Sequence, residues 1–391
     1  MSDKSPAIVV VAFNRPRSLQ RLLDSLQLAF YPAQDIPLII SIDKCDTNQD
    51  VLDIAEHFDW KFGPKEVHYQ EKNLGLRDHV MQCGDLTKQF GAIIMLEDDL
   101  FVSPNFYYYT LNALHFSSDK LRIGGISLYN HQLNVHTNKN FQPIEDGYDN
   151  WYFQFASSWG QAWNAKQWKS FKEWYQTTPK IDSNTRIPEY VRGWSEKSWL
   201  KYFIAFLVAE DRYFIYPKIA LTTNFSDTGT HVGEDSTAFQ LPLLYAHKKE
   251  YHFSKLSESC AVYDAYYENT ALAEKLQIPK QDLCLDLQAY KNVDTLDGER
   301  FLLTTQHLNF RILKKMACSL KPIDANVLQD LEGEDIFLYD LHIREPNTFI
   351  RSNKSRMLTY NFKYIYLNEA LTIVMSQLRG KFKRATKKIF K

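Results

Sequence analysis

The 391 residues are 45% hydrophobic, 24% charged and 14% aromatic, with a formal net charge of −1. Such a chain has ample material for a core, in two or three domains or in one large α/β unit with an extension. The near-neutral balance excludes a surface given over as a whole to nucleic acid, so no nucleic-acid partner is expected.

Residues 7–13 read as a buried strand, and Asn14-Arg15-Pro16-Arg17 makes the turn after it. Ser18 is placed to cap a helix whose Leu19, Leu22, Leu23 and Leu26 share one face. Residues 37–43 give a second strand with Asp43 at its C-terminal end, 51–58 a short helix and 66–70 a third strand. Asn73-Leu74-Gly75-Leu76-Arg77 leads into another helix, and 93–96 is the fourth strand. Alternation at this spacing predicts an α/β fold with a doubly wound, mostly parallel sheet. No GxGxxG follows the first strand, which disfavours a dinucleotide-binding fold of the Rossmann type.

Further on, an aromatic-rich helix is predicted over 106–116 and a strand over 123–129, while 130–151 reads as a loop over the site. Trp159-Gly160-Gln161-Ala162-Trp163 opens a Trp-dense stretch; 193–199 starts a helix running through Phe206, and 213–217 is a strand ended by Pro217. The polar loop 224–231 holds Asp227 and His231 close together. Beyond about residue 246 the character changes, and 283–287, 301–305 and 335–340 read as strands of a smaller appended unit. The tail is helical in pattern, with Leu371, Val374, Met375 and Leu378 at helical spacing and a closing run of Lys and Arg free of acids. The organisation expected is therefore a first domain over 1–245, an α+β unit over 246–365 and a basic amphipathic helix over 366–391. Such a helix suits an anionic membrane surface. The five scattered cysteines form no CxxC pair and read as free thiols of a reducing compartment. No stretch approaches the ~20 apolar residues that span a bilayer, so a cytoplasmic location is expected, at most peripheral on the inner face of the cell membrane.

The chemistry concentrates in Ile93-Ile94-Met95-Leu96-Glu97-Asp98-Asp99-Leu100. An apolar run of this length suits a strand buried on both faces, and its C-terminal end points to the crevice where open α/β sheets bind ligands. Three adjacent carboxylates repel one another unless protonation or a cation relieves them. The simplest relief is a hard divalent cation shared with substrate phosphates; the plain alternative is a solvated acidic turn.

Taken in order, Ala12-Phe13-Asn14-Arg15-Pro16, Asp43, Asn73-Leu74-Gly75 and Glu97-Asp98-Asp99 resemble a GT-A-fold glycosyltransferase. The likeness extends to the N-acetylglucosaminyltransferase I type, whose Glu-Asp-Asp metal motif precedes Leu and then Pro-x-Phe, here Leu100 and Pro104-Asn105-Phe106. The 159–163 segment is similar to a Trp-rich segment of bacterial polysaccharide glycosyltransferases. The resemblance spans roughly residues 7–240 and implies a metal-dependent, inverting enzyme of cell-surface polysaccharide synthesis. It would move a sugar from a UDP-sugar to a glycan or lipid-linked glycan, with Mn²⁺ or Mg²⁺.

By the same resemblance Asp99 is the direct metal ligand and His231 a second contact to metal or diphosphate. Asp98 would lie near the ribose and Glu97 near the donor sugar. Asp43 would accept from uracil or ribose, Phe13, Asn14 and Arg15 would hold base and phosphate, and Asn73 and Arg77 would complete the donor side. Inversion needs a base for the acceptor hydroxyl; Glu196 between Trp194 and Trp199 is the first choice and Asp227 the second. Trp159 and Trp163 would stack on acceptor sugar, core packing being the alternative. Two other classes compete. A sugar-phosphate nucleotidyltransferase would show a Gly-rich basic loop after the first strand, which residues 13–17 lack. A non-catalytic carbohydrate-binding protein would use the Trp-rich surface without a metal.

Overall fold

The computed structural model describes residues 5–32, 35–178, 180–225, 227, 239–293, 296, 298–349, 353–361 and 366–389. Its first part alternates strand and helix: β1 (Ala7–Ala12), α1 (Pro16–Gln27), β2 (Leu38–Ile42), α2 (Gln49–His57), β3 (Lys65–Tyr69), α3 (Leu76–Asp85), α4 (Thr87–Phe90) and β4 (Ala92–Glu97). Strand β1 pairs in parallel with β2 and β4, and β2 pairs in parallel with β3. Next come β5 (Leu100–Val102), α5 (Phe106–Ser117), β6 (Ile123–Ser127), a small hairpin of β7 (Leu133–Asn134) and β8 (Lys139–Asn140), β9 (Asn150–Phe153) and β10 (Gln161–Asn164). Helices α6 (Ala165–Thr177), α7 (Glu189–Arg192) and α8 (Trp199–Ala209) lead to β11 (Tyr213–Pro217), β12 (Thr222–Asn224) and β13 (Val262–Tyr263). The result is a nine-stranded sheet of order β13-β9-β11-β6-β10-β4-β1-β2-β3, mostly parallel. Strand β10 runs against both of its neighbours and β9 against β11.

Period-two side chains sort the sheet onto two cores. Val9, Val11, Ile93 and Met95 join Trp163, Trp168, Phe171 and Phe203 on the α6–α8 side. Ile8, Val10, Ile94 and Leu96 join Leu19, Leu22, Leu23 and Leu26 of α1 and Phe106 of α5 on the other. Each leucine so buried contributes roughly 1.5–3 kcal/mol relative to exposure. Asn164 ends β10 and starts α6 at once, because its side chain and that of Gln167 form a reciprocal cap. Within α3, a methyl at Gly84 would stand 2.0 Å from the Trp168 ring. The glycine's helix penalty, roughly 0.5–1 kcal/mol, is offset by letting that ring lie against the backbone.

From Leu272 onward a separate core forms. There α9 (Leu272–Lys275), β14 (Leu283–Asp286), β15 (Phe301–Thr304), β16 (Phe310–Met316), α10 (Asp324–Leu328) and β17 (Ile336–Arg344) make a four-stranded sheet of order β14-β15-β17-β16 with helices. Helices α11 (Asn353–Asn361) and α12 (Leu367–Ile389) follow. Residues 246–271, expected in this appended unit, instead pack with the large sheet: Tyr251 and Phe253 lie on its α1–α5 core, and β13 is one of its strands.

The second unit is seated on β13, the edge strand of the large sheet. Tyr263 Oη donates to Asp324 Oδ2 at 2.7 Å, and Asn140 Nδ2 donates to Asn361 O at 2.8 Å. Burial pushes the Asp324 carboxyl up to about 7, the hydrogen bond from Tyr263 working against that rise. The folded protein thus holds this proton where the unfolded chain has released it, so Asp324 costs stability as pH climbs from about 4 to 7. The slope is up to about 1.4 kcal/mol per pH unit. Asp324→Asn is expected to flatten thermal stability over that window and to raise the melting temperature at pH 8; identical pH slopes for the two proteins would remove Asp324 as the cause.

Candidate active site

The register between β1 and β4 builds the site. Val11 stands opposite Glu97, and Asp98 N donates to Val11 O at 3.1 Å. The turn after β1 therefore lies beside the acid triplet. Pro16 at the first position of α1 keeps that turn to three residues. Arg15 points from it into the carboxylates, bonded to Asp98 and, at 3.0 Å, to Asp99 Oδ2.

Burial pushes the Asp98 carboxyl, 2% exposed, up to about 6 against the pull of Arg15. Burial first, then Asp99 and Asp98, raise Glu97 well above the usual carboxylate range. The triplet is thus a crowded, half-neutralised cluster rather than a solvated turn.

Strand β5 carries the chain on from Asp99 and pairs antiparallel with β12. Phe225 N donates to Asp99 O at 3.1 Å. Asp227 then reaches the first turns of α1, accepting from Ser18 Oγ at 2.7 Å and from Arg21, whose guanidinium lies 3.8 Å over the Phe225 ring. Burial works against the Asp227 charge, yet the hydrogen bonds from Arg21 and Ser18 hold its carboxyl below the usual range.

Asp43, at the end of β2, accepts from three backbone N–H groups: Lys44 at 2.9 Å, Leu74 at 2.8 Å and Gly75 at 2.9 Å. Gly75 takes φ +74° as α3 begins, a conformation that glycine adopts without strain. Asn73 Nδ2 donates to Lys44 O at 2.8 Å, which closes the same rim, while Asn14 is exposed at its edge.

Arg77 Nη1 donates to Glu196 O at 3.2 Å. The Glu196 side chain is exposed and accepts from Lys201 Nζ at 2.6 Å and Tyr202 Oη at 2.7 Å, and those bonds lower its pKa. Phe13, Arg15, Asp43, Asn73, Asp98, Asp99 and Asp227 thus gather where the parallel strands end, and Glu196 pairs with Arg77 beside α3. Trp163 is fully buried against Trp168 and Phe203, a core residue instead of a sugar-stacking one. His231 lies outside the described residues.

Three residues take roles that the sequence did not suggest, and Ser18, expected to cap the first helix, lies inside α1, whose N-cap position is Arg15. Asn48 Nδ2 donates to Phe13 O at 2.7 Å and Asp43 O at 2.8 Å, locking two turns together, and its only sequence signal is a helix-starting position. Ser18 and Arg21, one helical turn apart, gave no sign that they hold Asp227.

Among the described residues no group of three or more His, Cys, Asp or Glu is arranged to hold a metal ion. Asp98 Oδ2 and Asp99 Oδ1, however, are buried without any partner. Two orphaned carboxylate oxygens fit a hard cation that draws its remaining ligands from phosphates and water.

No family model and no curated protein matches the chain. Solved structures do. S. aureus TarS is 12% identical with a TM-score of 0.31, covering 56% of this chain and 36% of its own. The mannosyltransferase PcManGT from Pyrobaculum calidifontis, in complex with GDP-Man and Mn²⁺, is 12% identical with a TM-score of 0.31, covering 56% of this chain and 60% of its own. Mouse xyloside xylosyltransferase 1 in its apo form is 12% identical with a TM-score of 0.36, covering 54% of this chain and 83% of its own. The chain thus spans less than two thirds of the length of the first two.

Proposed function

We propose that the chain is a metal-dependent glycosyltransferase of the GT-A type. On this reading it moves a hexosyl or N-acetylhexosaminyl group from a UDP-sugar to a glycan or lipid-linked glycan in cell-surface polysaccharide synthesis. One observation carries the reading: two unpartnered buried carboxylate oxygens at the end of a doubly buried strand, beside a basic turn. The ordered likeness to the N-acetylglucosaminyltransferase I type belongs to the same reading.

A nucleotide-sugar loses a diphosphate, so negative charge grows on phosphate oxygens as the bond breaks. Asp99, with Asp98 beside it, would hold Mn²⁺ or Mg²⁺, which when bound supplies Lewis-acid stabilisation of that charge. Arg15 offers a second positive charge at the same place. Asp43 and Asn48 keep the 13–15 and 73–75 turns in position for base and ribose, and Glu97 borders the donor sugar. Asp227 and Glu196 are the carboxylates proposed to take the acceptor proton. Hydrogen bonds keep both ionised, as a base must be; the bond from Phe225 N to Asp99 O, two residues before Asp227, supports ranking Asp227 ahead of Glu196, the first choice from the sequence.

Incubation with a panel of UDP-sugars and Mn²⁺ is expected to reveal slow donor hydrolysis that a chelator stops; a panel without any hydrolysed donor counts against the donor class. Stabilisation by UDP with Mn²⁺ should largely vanish in Asp99→Asn, and its survival there would remove Asp99 from the metal.

Arg15→Met leaves Asp98 and Asp99 without a counter-charge, a change that costs roughly 3–5 kcal/mol when the pair is buried. Its melting temperature in chelator should fall by several degrees and recover with Mn²⁺. Failure to recover would mean that these oxygens do not accept a cation.

Among the described residues no helix is long and apolar enough to cross a membrane. In α12, Leu367, Leu371, Val374, Met375 and Leu378 are exposed, and the sequence beyond them is basic. The reading therefore includes peripheral docking on the inner face of the cell membrane, each cation near an anionic surface adding about 1 kcal/mol. Full-length protein should sediment with anionic liposomes and come off in high salt, and truncation after Ser376 should abolish the effect. Equal sedimentation of both forms would show that the tail is no anchor.

A further inference from the structure

A cavity of about 300 Å³ lies where β10 begins, at the end of the sheet from which the acid cluster emerges. Its floor comes from two segments, 128–131 leaving β6 and 155–160 entering β10, tied together where Leu128 N donates to Gly160 O at 2.9 Å, and residues of 135–138 and 190–200 with Phe239 complete it. Phe155, Trp159, Tyr190 and Trp194 supply aromatic walls, and Ser158 adds a hydroxyl. No Asp, Glu, Lys or Arg lines it among the described residues. Apolar walls with a few polar groups are the usual make-up of a small-molecule site.

His131 also lines the cavity, 2% exposed, and its Nε2 has no partner. Its Nδ1 lies 3.2 Å from Tyr267 Oη. The arrangement that strands no phenol proton has Tyr267 donate to Nδ1, which leaves the imidazole proton on Nε2. Burial, then His136, keeps the ring neutral. A buried donor without a partner is rare enough in folded proteins to call for an explanation, and an incoming acceptor oxygen supplies one.

Distance from the triplet is set by a short ladder. Thr222 Oγ1 donates to Trp159 O at 2.5 Å, β12 carries on to Phe225, and Phe225 N meets Asp99 O.

We infer that this cavity is the acceptor subsite and takes one neutral pyranose ring. The ring's C–H face lies on the aromatic walls, whose negative π-faces suit its weakly positive hydrogens, and one of its oxygens accepts from His131 Nε2. With no Asp, Glu, Lys or Arg in its described lining, the subsite favours a neutral ring over a uronic acid or a phosphorylated sugar. The assignment as acceptor rests on the glycosyl-transfer reading above; the assignment as a sugar site does not.

Saturation-transfer NMR on the full-length protein, with the methyl glycosides of glucose, galactose, mannose and N-acetylglucosamine as probes, tests it. At least one glycoside is expected to receive saturation at its ring C–H protons. The affinity should fall at least tenfold in Trp159→Leu, His131→Phe and Tyr190→Ala, with the thermal response to UDP and Mn²⁺ unchanged. Tyr190 is 50% exposed, so its variant tests the cavity even where a core substitution perturbs folding. No transfer to any glycoside, or equal affinity in all three variants, overturns the inference. Loss of the UDP response in the variants overturns it too, since the cavity would then hold the nucleotide. Glycoside binding in a protein indifferent to UDP would uphold the sugar site and remove the donor reading alone.

Discussion

Crowded negative charge at the end of a buried strand is the constraint on which the rest of the structure depends. Strand β4 is covered on both faces, so its C-terminal acids emerge from an apolar interior with little water to share their charge. Burial accordingly drives Glu97 and Asp98 toward protonation, and the Arg15 guanidinium opposes it. That arginine is available only because β1 and β4 are parallel neighbours in one register, Val11 against Glu97. A slip of one residue would send Val9 and Val11 to the wrong core and carry Arg15 off the acids. Register, core packing and charge compensation are here one requirement.

Around that cluster the loops are held by side chains instead of by regular structure. Asp43 spends its oxygens on the backbone of the 74–75 turn, while Asn48 grips both the Phe13 turn and Asp43 itself. Functional groups commonly sit on loops that a rigid scaffold positions, and these two buried residues are what make these loops rigid. On the proposed reading, Asp43 serves the donor rim by fixing the backbone of the 74–75 turn.

The strands of the first hundred residues were legible because each is an apolar run closed by turn residues, and local alternation of strand with helix is enough to imply a parallel sheet. Strands β9, β10 and β13 were not. Strand β10 has four residues, Gln161-Ala162-Trp163-Asn164, and becomes a strand only because the gap between β4 and β6 supplies partners on both sides. Such pairing is tertiary, and no local period announces it. The acid triplet was visible as a motif, whereas its pairing with Arg15 joins residues more than eighty positions apart. The boundary of the second unit was missed for a related reason. Composition shifts near residue 246, but Tyr251 and Phe253 still fill the first core, and packing decides where a unit ends.

The aromatic residues carry the same lesson into function. Trp163, Trp168 and Trp199 are buried among one another and Phe203, whereas Trp159, four residues from Trp163, is half-buried at a cavity wall. Residue type and spacing do not distinguish them; the end of the sheet does. Trp163 inside β10 meets Trp168 of α6 and Trp199 of α8, whereas Trp159, before the first paired residue of β10, meets open space. Because Trp159 is bonded through Thr222 to the strand that pairs with β5, the cavity wall and Asp99 belong to one rigid ladder. On the proposed reading, holding donor and acceptor on a single rigid support is where much of the catalytic gain arises, since fixed proximity removes the entropy of bringing two substrates together. The aromatic wall would then matter less for how tightly an acceptor binds than for where its hydroxyl comes to rest.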